Sequence, residues 1–145
     1  MSAAADCMFC KIVAGQIPAL KVFENEDILA FLDIGPLSEG HTLVVPKKHV
    51  HLLSEMSESE MAAMSRYLPR LVRAICGAVG SEGCNVLVNV GRVASQEVPH
   101  VHWHIIPRKP ADGLGYRWNA SMYPPGRGEQ VARQIAAACV TGSAG

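Results

Sequence analysis

His100-Val-His-Trp-His-Ile-Ile-Pro-Arg108 is the stretch from which the rest of the chain can be read. Polar and apolar side chains alternate along its first five residues, and successive side chains of a strand point to opposite faces. A strand over 100–107 therefore puts His100, His102 and His104 on one side and Val101 and Trp103 on the other. Residues two apart on a strand are about 6.5 Å apart, so the outer pair is separated by about 13 Å. One metal ion does not easily reach all three, and at least one imidazole is left for other work.

Upstream, residues 20–24 and 27–33 read as two strands joined by a turn at Asn25-Glu26. Gly35-Pro36 and Gly40 punctuate a loop, and the β-branched run 41–46 reads as a third strand. Residues 84–90 supply a fourth, and 100–107 is the fifth. A short helical turn is expected over 9–14, ended by Gly15 and Pro18. Ser57 and Glu60 form a capping-box pattern. Beyond it Met61, Met64, Leu68, Leu71, Val72, Ile75 and Val79 recur at helical spacing, and Gly80 suits a stop. One long helix over 58–79 is expected, which Pro69 should bend or leave with an unpaired carbonyl. Residues 112–128 have no period and read as a loop, and 129–140 closes the chain as a short helix. Five strands with segregated helices make an antiparallel sheet of the α+β class. A single domain over 7–140 is expected, with frayed tails at 1–6 and 141–145.

Bulk properties narrow the function. Lysine plus arginine and aspartate plus glutamate number 13 each in 145 residues. That balance argues against a broad electrostatic footprint for nucleic acid or an anionic membrane surface. No apolar run is long enough to span a bilayer, and the N-terminus lacks the regions of a signal peptide, so a cytoplasmic location is expected. The five cysteines read as metal ligands and buried thiols, not as a disulfide framework. Cys7-x-x-Cys10 has a metal reading and a redox reading. The redox reading prefers a thioredoxin-like βαβ context, and the chain shows none. Zinc needs two further ligands, which His49, His51 and the three alternating histidines can supply. Cys76, Cys84 and Cys139 fall in apolar patterns and read as small core residues.

The segment 100–106 resembles the signature of the histidine triad family of nucleotide hydrolases and transferases. The resemblance runs from Cys7 to about Trp118. It is carried also by Cys7-Met-Phe-Cys-Lys-Ile12, Phe31-Leu-Asp-Ile34, Gly40-His-Thr-Leu-Val-Val-Pro-Lys-Lys-His49, and by Asn89 and Gln96. Pro107-Arg108, Asp112-Gly-Leu-Gly115 and Trp118 resemble the bacterial-type, zinc-containing branch. Two positions depart from the pattern: Trp103 stands where a small aliphatic residue is usual, and Ser95 where glycine is usual. Trp103 is expected to alter packing on the face away from the histidines.

The resemblance implies a fold and a set of roles. His102 would be the nucleophile, its other ring nitrogen held by the main-chain carbonyl of His100, and a nucleotidyl-histidine intermediate would be opened by water. His104 would donate to a phosphate oxygen, with Asn89 and Gln96 as uncharged donors to the phosphate or leaving group. Phe9, Ile12, Ile17, Phe31 and Ile34 would form the base pocket, and Asp33 would accept from both ribose hydroxyls. Structural zinc would be held by Cys7, Cys10, His49 and His100. His41 receives no catalytic role. The implied partners are a purine nucleotide and a second copy of the chain. The leading reading is hydrolysis or transfer at the α-phosphate of a purine nucleotide conjugate, such as a phosphoramidate. A dinucleoside polyphosphate hydrolase and a zinc-stabilised binding or scaffold protein are the alternatives.

Overall fold

The apolar and β-branched runs become strands close to the expected places, trimmed where a hydrogen-bonded neighbour runs out. The computed structural model describes residues 3–115 and 120–141. It contains β1 (Lys21–Glu24), β2 (Ile28–Leu32), β3 (Thr42–Pro46), β4 (Gly83–Val88) and β5 (Trp103–Arg108). These form one antiparallel sheet in the order β1-β2-β3-β5-β4. Asn25 closes the first hairpin, its Oδ1 accepting from the amides of Asp27 and Ile28 at 2.9 Å, a side-chain-built turn.

The fifth strand is shorter than its sequence pattern suggests. Its ladder begins at Trp103, which faces Val44 on one side and Val88 on the other. His100 and His102 precede it, because β4 ends at Val88 and leaves them no neighbour on that flank. The alternation survives nevertheless. Val101, Trp103 and Ile105 join one core with Ile28, Ala30, Val44, Met64, Leu71 and Ile75. Leu29, Phe31, Leu43 and Val45 face the other way and pack with Cys7, Phe9 and Ile12. Trp103 does lie on the far face, where its indole N–H donates to the Met64 sulfur at 3.2 Å.

Two helices replace the single bent one expected over 58–79. The first, α3 (Glu58–Ser65), starts on the expected capping box: Ser57 Oγ accepts from the Glu60 amide at 3.2 Å and Glu60 Oε2 from the Ser57 amide at 2.9 Å. Arg66 and Tyr67 intervene, and α4 (Leu68–Val79) begins with Pro69 in its first turn. There the missing proline N–H leaves no bond unmade, so Pro69 opens a helix instead of bending one. Gly80 ends α4 in the left-handed region, as its position suggested. Gly40 also has positive φ, and a Cβ there would lie 2.9 Å from Val79 Cγ1 and 3.3 Å from Pro107 Cγ. Only glycine lets the chain pass between α4 and β5 into β3.

On the opposite face lies α2 (Met8–Val13), with Phe9 and Ile12 buried. Before it, Ala3–Asp6 form one helical turn, α1, where a frayed tail was expected. Residues Met1–Asp112 and Gly113–Gly145 form two compact units. The expected 7–140 domain spans parts of both. The sheet belongs to the first; the second holds α5 (Arg127–Thr141), on which Cys139 is exposed and not the core residue expected. Trp118 and the tail from 142 onward lie outside the described residues.

Candidate active site

Four side chains from three segments converge where α2 meets the sheet. Cys7 and Cys10 come from the start of α2, His49 from just beyond β3, and His100 from just before β5. Cys10 Sγ lies 3.3 Å from His49 Nδ1 and 3.5 Å from His100 Nδ1. Cys7 Sγ lies 3.4 Å from His100 Nδ1, and the two Nδ1 atoms are 3.3 Å apart. All four donor atoms fall within 4.8 Å of one another. Ligands placed tetrahedrally at zinc–nitrogen and zinc–sulfur distances are about 3.3–3.8 Å apart, the spacing of the closest pairs here. His100 Nε2 donates to the Pro46 carbonyl at 2.8 Å, so its Nδ1 turns a lone pair toward the thiols. The donor set fits a zinc ion. Four protein ligands leave no position for water, so the metal would supply rigidity, not chemistry.

The backbone leading into β5 is held by two bonds. The His100 amide donates to the Val98 carbonyl and the Val101 amide to the Val50 carbonyl, each at 2.8 Å. The carbonyl of His100 is thereby aimed at the next histidine, and His102 Nδ1 donates to it at 2.7 Å. Its Nε2 then carries the lone pair. Burial holds the His102 pKa below the ordinary histidine value, against the opposing pulls of the His100 carbonyl, Asp33 and Glu97. The ring is thus neutral, oriented and basic at one nitrogen. Phe9 packs edge-on against it, with ring centroids 5.0 Å apart.

His102 and His104 line a cavity of about 670 Å³. Phe9, Ile12, Ile17, Phe31 and Ile34 form an apolar wall, and Asp33 stands beside them. Phe9 and Phe31 meet edge to face at 5.6 Å, whereas Ile34 is almost wholly exposed at the rim. Asp33 Oδ1 accepts from the Gly35 amide at 2.8 Å. Its Oδ2 lies 3.7 Å from His41 Nε2.

His41, given no role by the sequence pattern, completes the site. It is buried, and its Nδ1 accepts from the Leu37 amide at 3.1 Å. The ring proton must therefore sit on Nε2, 2.9 Å from His104 Nδ1. That in turn puts the proton of neutral His104 on Nε2, a buried atom that lacks a hydrogen-bond partner among the described residues. Burial first, then the neighbouring His102 and His41, push the His104 pKa down to about 4. His104 is thus fixed as a neutral N–H donor beside the cavity.

A family model described as "HIT domain" matches residues 14–111. The chain belongs to the HIT family. Among curated relatives it is 45% identical over 134 residues to adenosine 5'-monophosphoramidase hnt1 of Schizosaccharomyces pombe, covering 89% of this chain and 98% of that one. It is 48% identical over 109 residues to adenylylsulfatase HINT3 of Arabidopsis thaliana, covering 75% and 55%. The solved HIT-family structure from Bacillus subtilis superimposes with a TM-score of 0.86 at 41% identity, covering 90% and 95%. A zinc-bound histidine triad protein from Mycobacterium smegmatis gives 0.73 at 34% identity, covering 93% and 99%.

Not every expected site residue of this HIT protein reaches the cavity. Gln96 does not line it. Its Nε2 donates to the His51 and Val98 carbonyls at 2.8 and 3.2 Å, and its Oε1 accepts from the Gly91 amide at 2.8 Å. With these polar atoms engaged it braces the β4–β5 connection and has no donor to offer a phosphate. Asn89 does line the cavity, though its Nδ2 also donates to the Ser95 carbonyl at 3.3 Å. Ser95 has φ of 69°, the left-handed conformation that glycine adopts freely. His51 is exposed, outside the Cys–His cluster. Glu97 joins the lining unexpectedly, from the same connection.

Proposed function

We propose that this HIT protein hydrolyses purine nucleoside 5′-phosphoramidates or related α-phosphate conjugates, with His102 as the nucleophile. The observation that carries the reading is the 2.7 Å bond from His102 Nδ1 to the His100 carbonyl beside an apolar cavity. Nε2 attacks the α-phosphorus, forming a P–Nε2 bond as the bond to the leaving nitrogen breaks. The departing nitrogen gains a proton from solvent and leaves as an amine. Water then adds to phosphorus, the P–Nε2 bond breaks, and the proton lost by water goes to solvent. His104 Nε2–H serves the phosphoryl oxygens, and Asp33 takes the ribose hydroxyls with the oxygen that Gly35 leaves open.

Zinc at Cys7, Cys10, His49 and His100 belongs to this reading, supported by the donor spacing and by the zinc-bound relative. So does a cytoplasmic homodimer. β1 and β4 are the open edges of the sheet, and Val86 on β4 is 38% exposed, the kind of surface that pairs with a second copy. Sedimentation equilibrium yielding only the 15.5 kDa monomer would remove the dimer. No described helix is long and apolar enough to cross a membrane.

The central test incubates purified protein with adenosine 5′-monophosphoramidate. Release of AMP by the unaltered chain, and none by His102→Ala, is the expected pair of results. An inactive unaltered chain, or an active variant, overturns the assignment.

A further inference from the structure

The charged side chains that line the cavity are all of one sign. No lysine or arginine lines it among the described residues; its two fully charged side chains are Asp33 and Glu97. The sheet order separates them. Asp33 follows β2 and Glu97 belongs to the connection after β4, and those strands flank the β3–β5 pair from opposite sides. His102, just before β5, and His104, within it, therefore lie between the two carboxylates. If Asp33 and the apolar wall hold the nucleoside, the group on the far side of phosphorus points toward Glu97, Asn89, Ser95 and Val98. Glu97 is exposed and makes no ion pair among those described. Arg92, in the same connection, does not line the cavity.

We propose that Glu97 selects the leaving group, so that this protein favours nucleotide conjugates whose departing amine carries a second, positively charged ammonium. Conjugates with an anionic leaving group, polyphosphates included, are disfavoured by the same carboxylate. The inference rests on the α-phosphate reading above and narrows its substrate class. As the P–N bond breaks and the nitrogen takes up its proton, the distal ammonium stays against Glu97, attracted before and after the step. One solvated pair changes an equilibrium by a factor of about two to five, so exchanging a cation for an anion spans about tenfold.

Three AMP phosphoramidates of matched length test the proposal: those of 1,4-diaminobutane, butylamine and 4-aminobutanoate. The expected kcat/KM order is cationic, neutral, anionic, spanning about tenfold at low salt and shrinking in high salt. Glu97→Gln should bring the three together, and Glu97→Lys should reverse the order. Equal constants in the unaltered protein, or an order untouched by Glu97→Gln, overturn the proposal. Dissociation constants for the same conjugates, measured calorimetrically on His102→Ala, separate it from the hydrolase reading. If no conjugate is turned over but the charge order persists in binding and vanishes in His102→Ala/Glu97→Gln, the reaction is wrong and the selectivity stands. If binding shows no order, the selectivity falls.

Discussion

Two histidine-containing clusters sit at either end of the histidine segment, one with cysteines and one with an aspartate, and they hold their ring protons differently. Cys7, Cys10, His49 and His100 bring four donor atoms together, as do Asp33, His41 and His104 with three. The difference lies in where each ring proton is held. His100 gives its Nε2 proton to a carbonyl and turns a lone pair inward. His41 receives a backbone N–H on Nδ1, so its proton lies between the two rings. A cation at the second cluster would have to displace that proton. Backbone partners outside a histidine cluster thus decide whether it holds an ion or orders a chain of hydrogen bonds.

His102, between the two clusters, should show the largest effect. His102→Ala is expected to lower kcat by about 10³-fold or more, with AMP affinity and zinc content unchanged. Loss of zinc together with activity would mean that the two clusters are not separate in function.

The metal cluster should next report on stability. Cys10→Ser is expected to reduce zinc from about one per chain toward none, and to lower the thermal midpoint by about 6 °C or more, from at least about 2 kcal/mol at about 3 °C per kcal/mol. Activity measured well below that midpoint should fall much less. A variant with unchanged midpoint and metal content would break the comparison at its first term.

His41 tests the other term. His41→Ala frees the His104 ring to take either tautomer, and kcat is expected to fall about 10- to 100-fold with KM within about threefold. Zinc stoichiometry should stay at one in both proteins. A second zinc bound by the unaltered chain and lost in His41→Ala would make the second cluster a metal site after all.

Asp33 carries the smallest expected effect. The unaltered enzyme should favour AMP over dAMP conjugates by about tenfold in kcat/KM, since one hydrogen bond to a charged group is lost with the 2′-hydroxyl. Asp33→Asn should compress that ratio. Equal constants for both sugars in the unaltered enzyme would leave Asp33 as the turn cap that its bond to Gly35 already makes it.

The strands were legible because each carries its own alternation or β-branched run, and the histidine face because period two is a local property. The ends of β5 were not, since they depend on where β4 stops. Pro69 was placed correctly in a helix but given the wrong consequence: its effect depends on whether a helix starts or continues there, and Leu68–Val79 packs as a helix of its own. The Cys–His cluster followed from the family resemblance, while the sequence alone left His51 as a competitor. His41 could not be assigned from local pattern. It reaches His104 only because β3 and β5 pair with Leu43 opposite His104, a non-local register. Gln96 misled for the opposite reason, since its fixed place ahead of the histidines suggested a ligand contact and the structure gives it three backbone partners.

Trp103 has a practical consequence. The chain has two tryptophans, and this one stands back to back with the face that carries His102 and His104, its indole against the Met64 sulfur on α3. Its fluorescence is a built-in reporter for the rear of the histidine strand. Trp118→Phe would leave Trp103 as the sole emitter. A stopped-flow trace on that variant should then register any shift of β5 against α3 during turnover, with no dye attached.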